Sequence, residues 1–154
     1  MKGLTPLPPE FYLRPADAVA RDLLGKYLVI GRGREALVVQ LTETEAYLGV
    51  TDKACHSYGG RRTPRTEAMY LPGGHAYVYF IYGSCFCLNV VTGKEDDPCA
   101  VLIRAGRLIA GQDTMAQRRF GADWGGLTPA QKRNLLNGPG KLCQALGIGR
   151  EQNK

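Results

Sequence analysis

At 154 residues, 44% hydrophobic and 22% charged, the chain has the length of one domain with a real core, and its composition excludes a disordered tail. Twenty Lys and Arg against fourteen Asp and Glu leave a formal net charge of +6 and a pI near 9.2. That surplus favours polyanions, because each neutralised phosphate releases counterions, but it does not say which polyanion. No segment has about 18 uninterrupted apolar residues, and the Pro-rich start from Met1 to Glu10 is unlike a signal peptide. A cytoplasmic protein is therefore expected, with its five cysteines (Cys55, Cys85, Cys87, Cys99 and Cys143) as free thiols.

Taken in order, Pro15 opens a short helix from Ala16 to Leu24 that Gly25 closes. Lys26–Ile30 and Ala36–Leu48 read as strands flanking a Gly31–Arg34 turn. Gly49 to Gly74 is a long loop of the kind that carries function or mobility. Ala76–Tyr82 and Cys85–Val91 form a hairpin candidate turning at Gly83-Ser84, and Val101–Ile109 is a further strand. Gln112–Phe120, Pro129–Leu136 and Lys141–Leu146 then read as helices. Strands first and helices later predict an α+β fold in one domain over residues 1–154.

Parity along the second strand puts Leu37, Val39, Leu41, Glu43, Glu45 and Tyr47 on one face. An apolar face would then run directly into two carboxylates and an aromatic. A carboxylate bordering a core needs a partner, so this is either an active-site acid or a strand end emerging into solvent.

Glu43-Thr44-Glu45-Ala46-Tyr47-Leu48-Gly49 is followed by His56-Ser57-Tyr58-Gly59-Gly60-Arg61-Arg62-Thr63-Pro64-Arg65 and then by Tyr77-Val78-Tyr79-Phe80-Ile81-Tyr82-Gly83. Cys87-Leu88-Asn89-Val90, Val101-Leu102-Ile103-Arg104-Ala105 and Gly138-Pro139-Gly140-Lys141-Leu142-Cys143 complete the series. In this order and spacing the runs, from about Arg14 to Gly149, resemble the alkyladenine (3-methyladenine, methylpurine) DNA glycosylase family. The resemblance implies an α+β domain around a curved, mainly antiparallel sheet with flanking helices and a β-hairpin projecting into the minor groove. It implies excision of alkylated or deaminated purines from double-stranded DNA without a metal or other cofactor, by a monomer. Glu45 matches the general base. Tyr47, His56, Tyr79 and Asn89 match the base pocket, Tyr82 the side chain that fills the vacated stack, and Arg104 a DNA-backbone contact. The family's domain runs several tens of residues beyond the position of Gly149, adding a strand and part of the pocket wall, and that segment is expected to be absent here.

The residue chemistry agrees. Breaking a purine glycosidic bond builds positive charge on the sugar, which a carboxylate stabilises while taking a proton from water. Lys53 and Lys94 sit in polar loops and Lys141 in a helical stretch, so no Schiff-base lysine stands out and hydrolysis is favoured over strand cleavage. Tyrosine faces suit cationic purines, and His56 can hydrogen-bond neutral ones. Arg61, Arg62 and Arg65, spaced by Thr63 and Pro64, would track a phosphate backbone. Each feature also has a plainer reading: tyrosines are common in packed strands, and arginine loops are common on solvated surfaces. Cys55, Cys85 and Cys87 have poor spacing for zinc. A non-catalytic binder of damaged DNA or RNA on the same scaffold is the alternative.

Overall fold

The computed structural model describes residues 3–83 and 85–154, so Met1, Lys2 and Ser84 of the expected turn lie outside the described residues. Five strands form one curled sheet in the order β1-β2-β5-β4-β3, antiparallel at every pairing. They are β1 (Tyr27–Ile30), β2 (Leu37–Tyr47), β3 (Ala76–Phe80), β4 (Phe86–Thr92) and β5 (Cys99–Ala110). The helices are α1 (Pro9–Tyr12), α2 (Ala16–Leu23), α3 (Gln112–Phe120), α4 (Pro129–Arg133) and α5 (Pro139–Leu146). The α+β expectation holds, as does the hairpin of β3 and β4. α1 is a turn of helix that the sequence reading did not include, and the expected 129–136 helix stops at Arg133.

Helix α2 forms because Ala16, Val19, Ala20 and Leu23 fall at helical spacing and all four are buried. It ends where Gly25 takes φ +80°, a conformation most side chains avoid. Pro139 at the start of α5 needs no intrahelical donor, and Gly147 ends it at φ +68°. Both helices cover one face of the sheet, packing on Leu37, Val39, Leu41, Leu88, Val101 and Ile103 in the main core. On the other face a smaller cluster joins Cys55, Met69, Tyr70, Tyr77, Val91 and Ala100, with Tyr47 and Tyr79 packed against it.

The parity expected along β2 fails in the middle of the strand. Register with β5 shifts between Leu41 and Glu43 and again between Glu43 and Thr44. Beyond this irregularity it is Thr44 and Ala46 that face α2 and the main core. The Thr44 hydroxyl donates to the Ala20 carbonyl at 2.8 Å, and Ala46 packs on the core. Glu45 and Tyr47 are thereby turned to the opposite face, so the apolar face of Leu37, Val39 and Leu41 does not run into them. Gly106 suits this place. A Cβ there would collide with the Val39 side chain and lie 2.9 Å from the Gln40 carbonyl oxygen, while its N–H leaves the ladder for the Leu136 carbonyl.

The long loop is built rather than slack. Short 3₁₀ turns at Gly49–Thr51, Tyr58–Gly60 and Glu67–Tyr70 shape it. The buried Ser57 hydroxyl donates to the Pro98 carbonyl at 3.1 Å. The last residues lie along β3, where Val78 N–H donates to Asn153 Oδ1 and Lys154 N–H to the Ala76 carbonyl, both at 2.9 Å.

Candidate active site

Directly opposed residues in a sheet share a face, so register alone assembles the site. Tyr77 lies opposite Asn89, Asn89 opposite Leu102, and Leu102 opposite Glu45. In neighbouring rows Tyr79 faces Cys87, while Ala100 lies between Val91 and Tyr47. Two i, i+2 pairs, Glu45/Tyr47 and Tyr77/Tyr79, thus reach one surface from strands that the chain separates by about thirty residues.

The loop brings His56 over that surface. Its Nδ1 is 3.0 Å from the Tyr77 hydroxyl, and its ring stands edge-on to Tyr79 with centroids 4.7 Å apart. Burial, helped by the charge of Arg65, holds the His56 pKa below its ordinary value, so the ring is neutral at neutral pH. Burial pushes the Tyr77 hydroxyl up to about 12 and raises Tyr79 as well, keeping both phenols protonated. Asn89, 2% exposed, donates from Nδ2 to the Tyr77 carbonyl at 3.2 Å. Tyr47, His56, Met69, Tyr77, Tyr79 and Asn89 line a half-open cavity of about 30 Å³, together with Ala54, Cys55 and Ala100. That is room for about one water.

Glu45 sits beside this cavity with both carboxylate oxygens engaged. Tyr47 Oη donates to Oε1 at 2.9 Å, and Arg104 Nη1 donates to Oε2 at 2.9 Å. Arg104 Nε also lies 4.0 Å from Glu43 Oε2. Burial first, then the bond to Glu45, pushes the Tyr47 hydroxyl up to about 12, so Tyr47 donates and the carboxylate accepts.

The sequence model described as "Methylpurine-DNA glycosylase (MPG)" matches residues 10–154. The chain belongs to the methylpurine-DNA glycosylase family. A Clostridium acetobutylicum protein named "Putative 3-methyladenine DNA glycosylase" is 54% identical over 144 residues, 94% of this chain and 70% of that protein. Proteins of the same name from Desulfitobacterium hafniense and Clostridium novyi are 50% and 49% identical, each matched over 94% of this chain and 71% of its own length.

As a member of this family, the chain brings Glu45, Tyr47, His56, Tyr79 and Asn89 together on one surface. Tyr82 stands apart at the hairpin tip, 71% exposed, next to the exposed Phe80 and Ile81. Arg65 reaches back to the hairpin, donating to the Phe80 carbonyl at 3.3 Å and lying 5.7 Å from the Tyr79 ring centroid. Arg61 points no charged group at an acidic partner among the described residues. Arg62 is differently placed: it holds Glu67 at 2.6 Å and Asp96 at 2.7 Å and lies over the Tyr70 ring. Arg104 belongs to the Glu45 carboxylate in this structure, and any phosphate contact starts from that pairing.

Sequence reasoning missed Tyr77 as a site residue, although its i, i+2 relation to Tyr79 marks it. All five cysteines are free, and no group of three or more His, Cys, Asp or Glu side chains among the described residues is placed to hold a metal ion. No helix among the described residues is long and apolar enough to cross a membrane.

Proposed function

We propose that the protein excises alkylated and deaminated purines, 3-methyladenine, 7-methylguanine, hypoxanthine and ethenoadenine among them, from double-stranded DNA. The observation that carries this is a carboxylate, Glu45, joined through Tyr47 to a cavity walled by aromatic rings. The names of the relatives point to the same chemistry.

A flipped purine is received among Tyr47, His56 and Tyr79, whose faces stabilise a cationic lesion by about 0.5–2 kcal/mol. As the C1′–N bond breaks, its electron pair leaves with the base and positive charge gathers on the sugar. Glu45 stabilises that charge and takes a proton from the water whose oxygen bonds to C1′. An abasic sugar and a free base result, and with no lysine lining the cavity among the described residues the strand is left uncut. Neutral His56, held by Tyr77, supplies a hydrogen bond to lesions that lack a charge. Asn89 disfavours the exocyclic amine of normal guanine, Tyr82 fills the vacated stack, and Arg61, Arg65 and Arg104 contact the backbone.

The experiment is excision from hypoxanthine or ethenoadenine duplexes and from methylated DNA, read by alkaline cleavage at abasic sites. Wild type should release bases, and Glu45→Gln should lose at least a hundredfold in rate, the usual scale for a positioned acid–base group. Equal release by both would overturn the role of Glu45. Lesion binding without release would instead mark a non-catalytic damaged-DNA domain.

A further inference from the structure

His56 sits on a loop, yet the pocket needs its ring at a fixed distance from residues carried on strands. The stretch around it makes its own turns. Cys55 N–H donates to the Asp52 carbonyl at 3.0 Å, Tyr58 N–H to the Cys55 carbonyl at 3.1 Å and Gly60 N–H to the Ser57 carbonyl at 2.9 Å. The Asp52 carboxylate accepts from Leu48 N–H at 3.0 Å and from Ala54 N–H at 2.9 Å. These bonds shape the stretch without seating it on the sheet.

The seat is made by three successive side chains. His56 Nδ1 meets the Tyr77 hydroxyl of β3. On one side of it, Ser57 Oγ donates to the Pro98 carbonyl at 3.1 Å. On the other, Cys55 Sγ lies 3.8 Å from the same carbonyl oxygen and 3.0 Å from Ser57 Oγ. The thiol is the weaker donor and the more distant, so the Ser57 hydroxyl carries most of this attachment. Ser57 is fully buried, where a hydroxyl is costly unless bonded.

Pro98 immediately precedes β5, in which Ala100 lies opposite Tyr47. The Ser57 bond therefore refers His56 to the strand that also places Tyr47, and both rings line the same cavity. We propose that Ser57 is a positioning residue for His56, its hydroxyl setting the separation of the His56 and Tyr47 rings and, through it, the excision of neutral purines. A cationic purine is held by ring faces, an attraction that tolerates some slack. A neutral purine depends on a hydrogen bond from His56, which weakens steeply with misalignment. Loosening the loop falls first on neutral lesions. The inference rests on the proposed function, because it takes Tyr47 and His56 as receiving the flipped base.

The test is single-turnover excision of hypoxanthine and of 7-methylguanine, at a temperature where the chains compared are folded. Those chains are wild type, Ser57→Ala, Ser57→Cys, His56→Ala and the double variant of Ser57→Ala with His56→Ala. Ser57→Ala should slow hypoxanthine release about tenfold more than 7-methylguanine release, the scale of one hydrogen bond. Ser57→Cys puts a weaker donor in nearly the same volume and should show the same bias at about threefold. It carries the test by itself if the alanine variant does not fold. With His56 already removed, Ser57→Ala should leave the ratio of the two rates unchanged.

A merely structural role for Ser57 also lowers the melting temperature, but a smaller folded fraction slows release of both bases alike. Equal slowing, no slowing, or the same bias without His56 would overturn the positioning role and leave the proposed function standing. Wild type that releases neither base would overturn the proposed function and this inference with it.

Discussion

Tyr77→Phe isolates one hydrogen bond on which the arrangement of the pocket depends. Tyr77 is 2% exposed, so phenylalanine fills the same space and leaves the packing against Tyr79 and Met69 intact. What disappears is the hydroxyl 3.0 Å from His56 Nδ1. His56 is exposed on its outer side, so water can reach part of the ring and the full penalty for a buried orphan does not apply. The net loss should be that of an ordinary hydrogen bond, about 0.5–1.5 kcal/mol. In a domain of this size that is a melting-temperature drop of about 1–6 °C. Urea unfolding of wild type, Tyr77→Phe, His56→Ala and the double variant forms a cycle, with an unchanged m-value as the check on two-state behaviour. Tyr77→Phe should cost this amount with His56 present and close to nothing without it. An equal cost in both backgrounds would refute the reasoning, since the hydroxyl would then not act through His56. In the intact pair the ring orientation is fixed, so excision of neutral hypoxanthine should suffer more from Tyr77→Phe than excision of cationic 7-methylguanine.

Two further outcomes follow from the charges. The folded His56 pKa lies below its ordinary value, so between that value and about pH 6.5 the unfolded chain binds a proton the folded one does not. Stability should be full above pH 6.5 and fall as pH drops through this window. A His56→Gln variant should lack that component in melting curves taken across pH, and superimposable curves would contradict it. Arg61 has no acidic partner among the described residues, whereas Arg62 has two. Arg61→Ala should therefore reduce the salt slope of DNA binding by about 0.9, and Arg62→Ala by clearly less. The reverse order would show that Arg62 exchanges its carboxylates for phosphates.

Much of the fold is legible because its signals are local. The spacing of Ala16, Val19, Ala20 and Leu23 marks α2, and the β-rich runs on either side of Gly83 mark the hairpin of β3 and β4. The loop from Gly49 to Gly74 is legible as a loop only. Its order comes from Ser57 reaching Pro98 and from Arg62 bridging Glu67 and Asp96, contacts that no local pattern encodes. The ion pairing of Arg62 is likewise hidden, because Asp96 is thirty-four residues away.

Glu45 shows how a residue beside the aromatic cavity can be reached through a wrong face. Strict alternation along β2 makes it the end of the apolar row Leu37–Val39–Leu41 and predicts a carboxylate at the edge of the main core. The register break between Leu41 and Thr44 sends it to the other side instead. Nothing in β2 alone announces that break, because Thr42, Glu43 and Thr44 suit a strand on either face. The signal that does point to the site is the recurrence of i, i+2 pairs, Glu45/Tyr47 and Tyr77/Tyr79, which any register bringing β2 and β3 to one face would gather together. The bulge matters because without it Glu45 would lie against Val101, Ile103 and the helices, where an ionised carboxylate finds neither Arg104 nor the aromatic cavity. A local irregularity in backbone pairing thus decides whether the carboxylate is a buried liability or a group partnered by Tyr47 and Arg104.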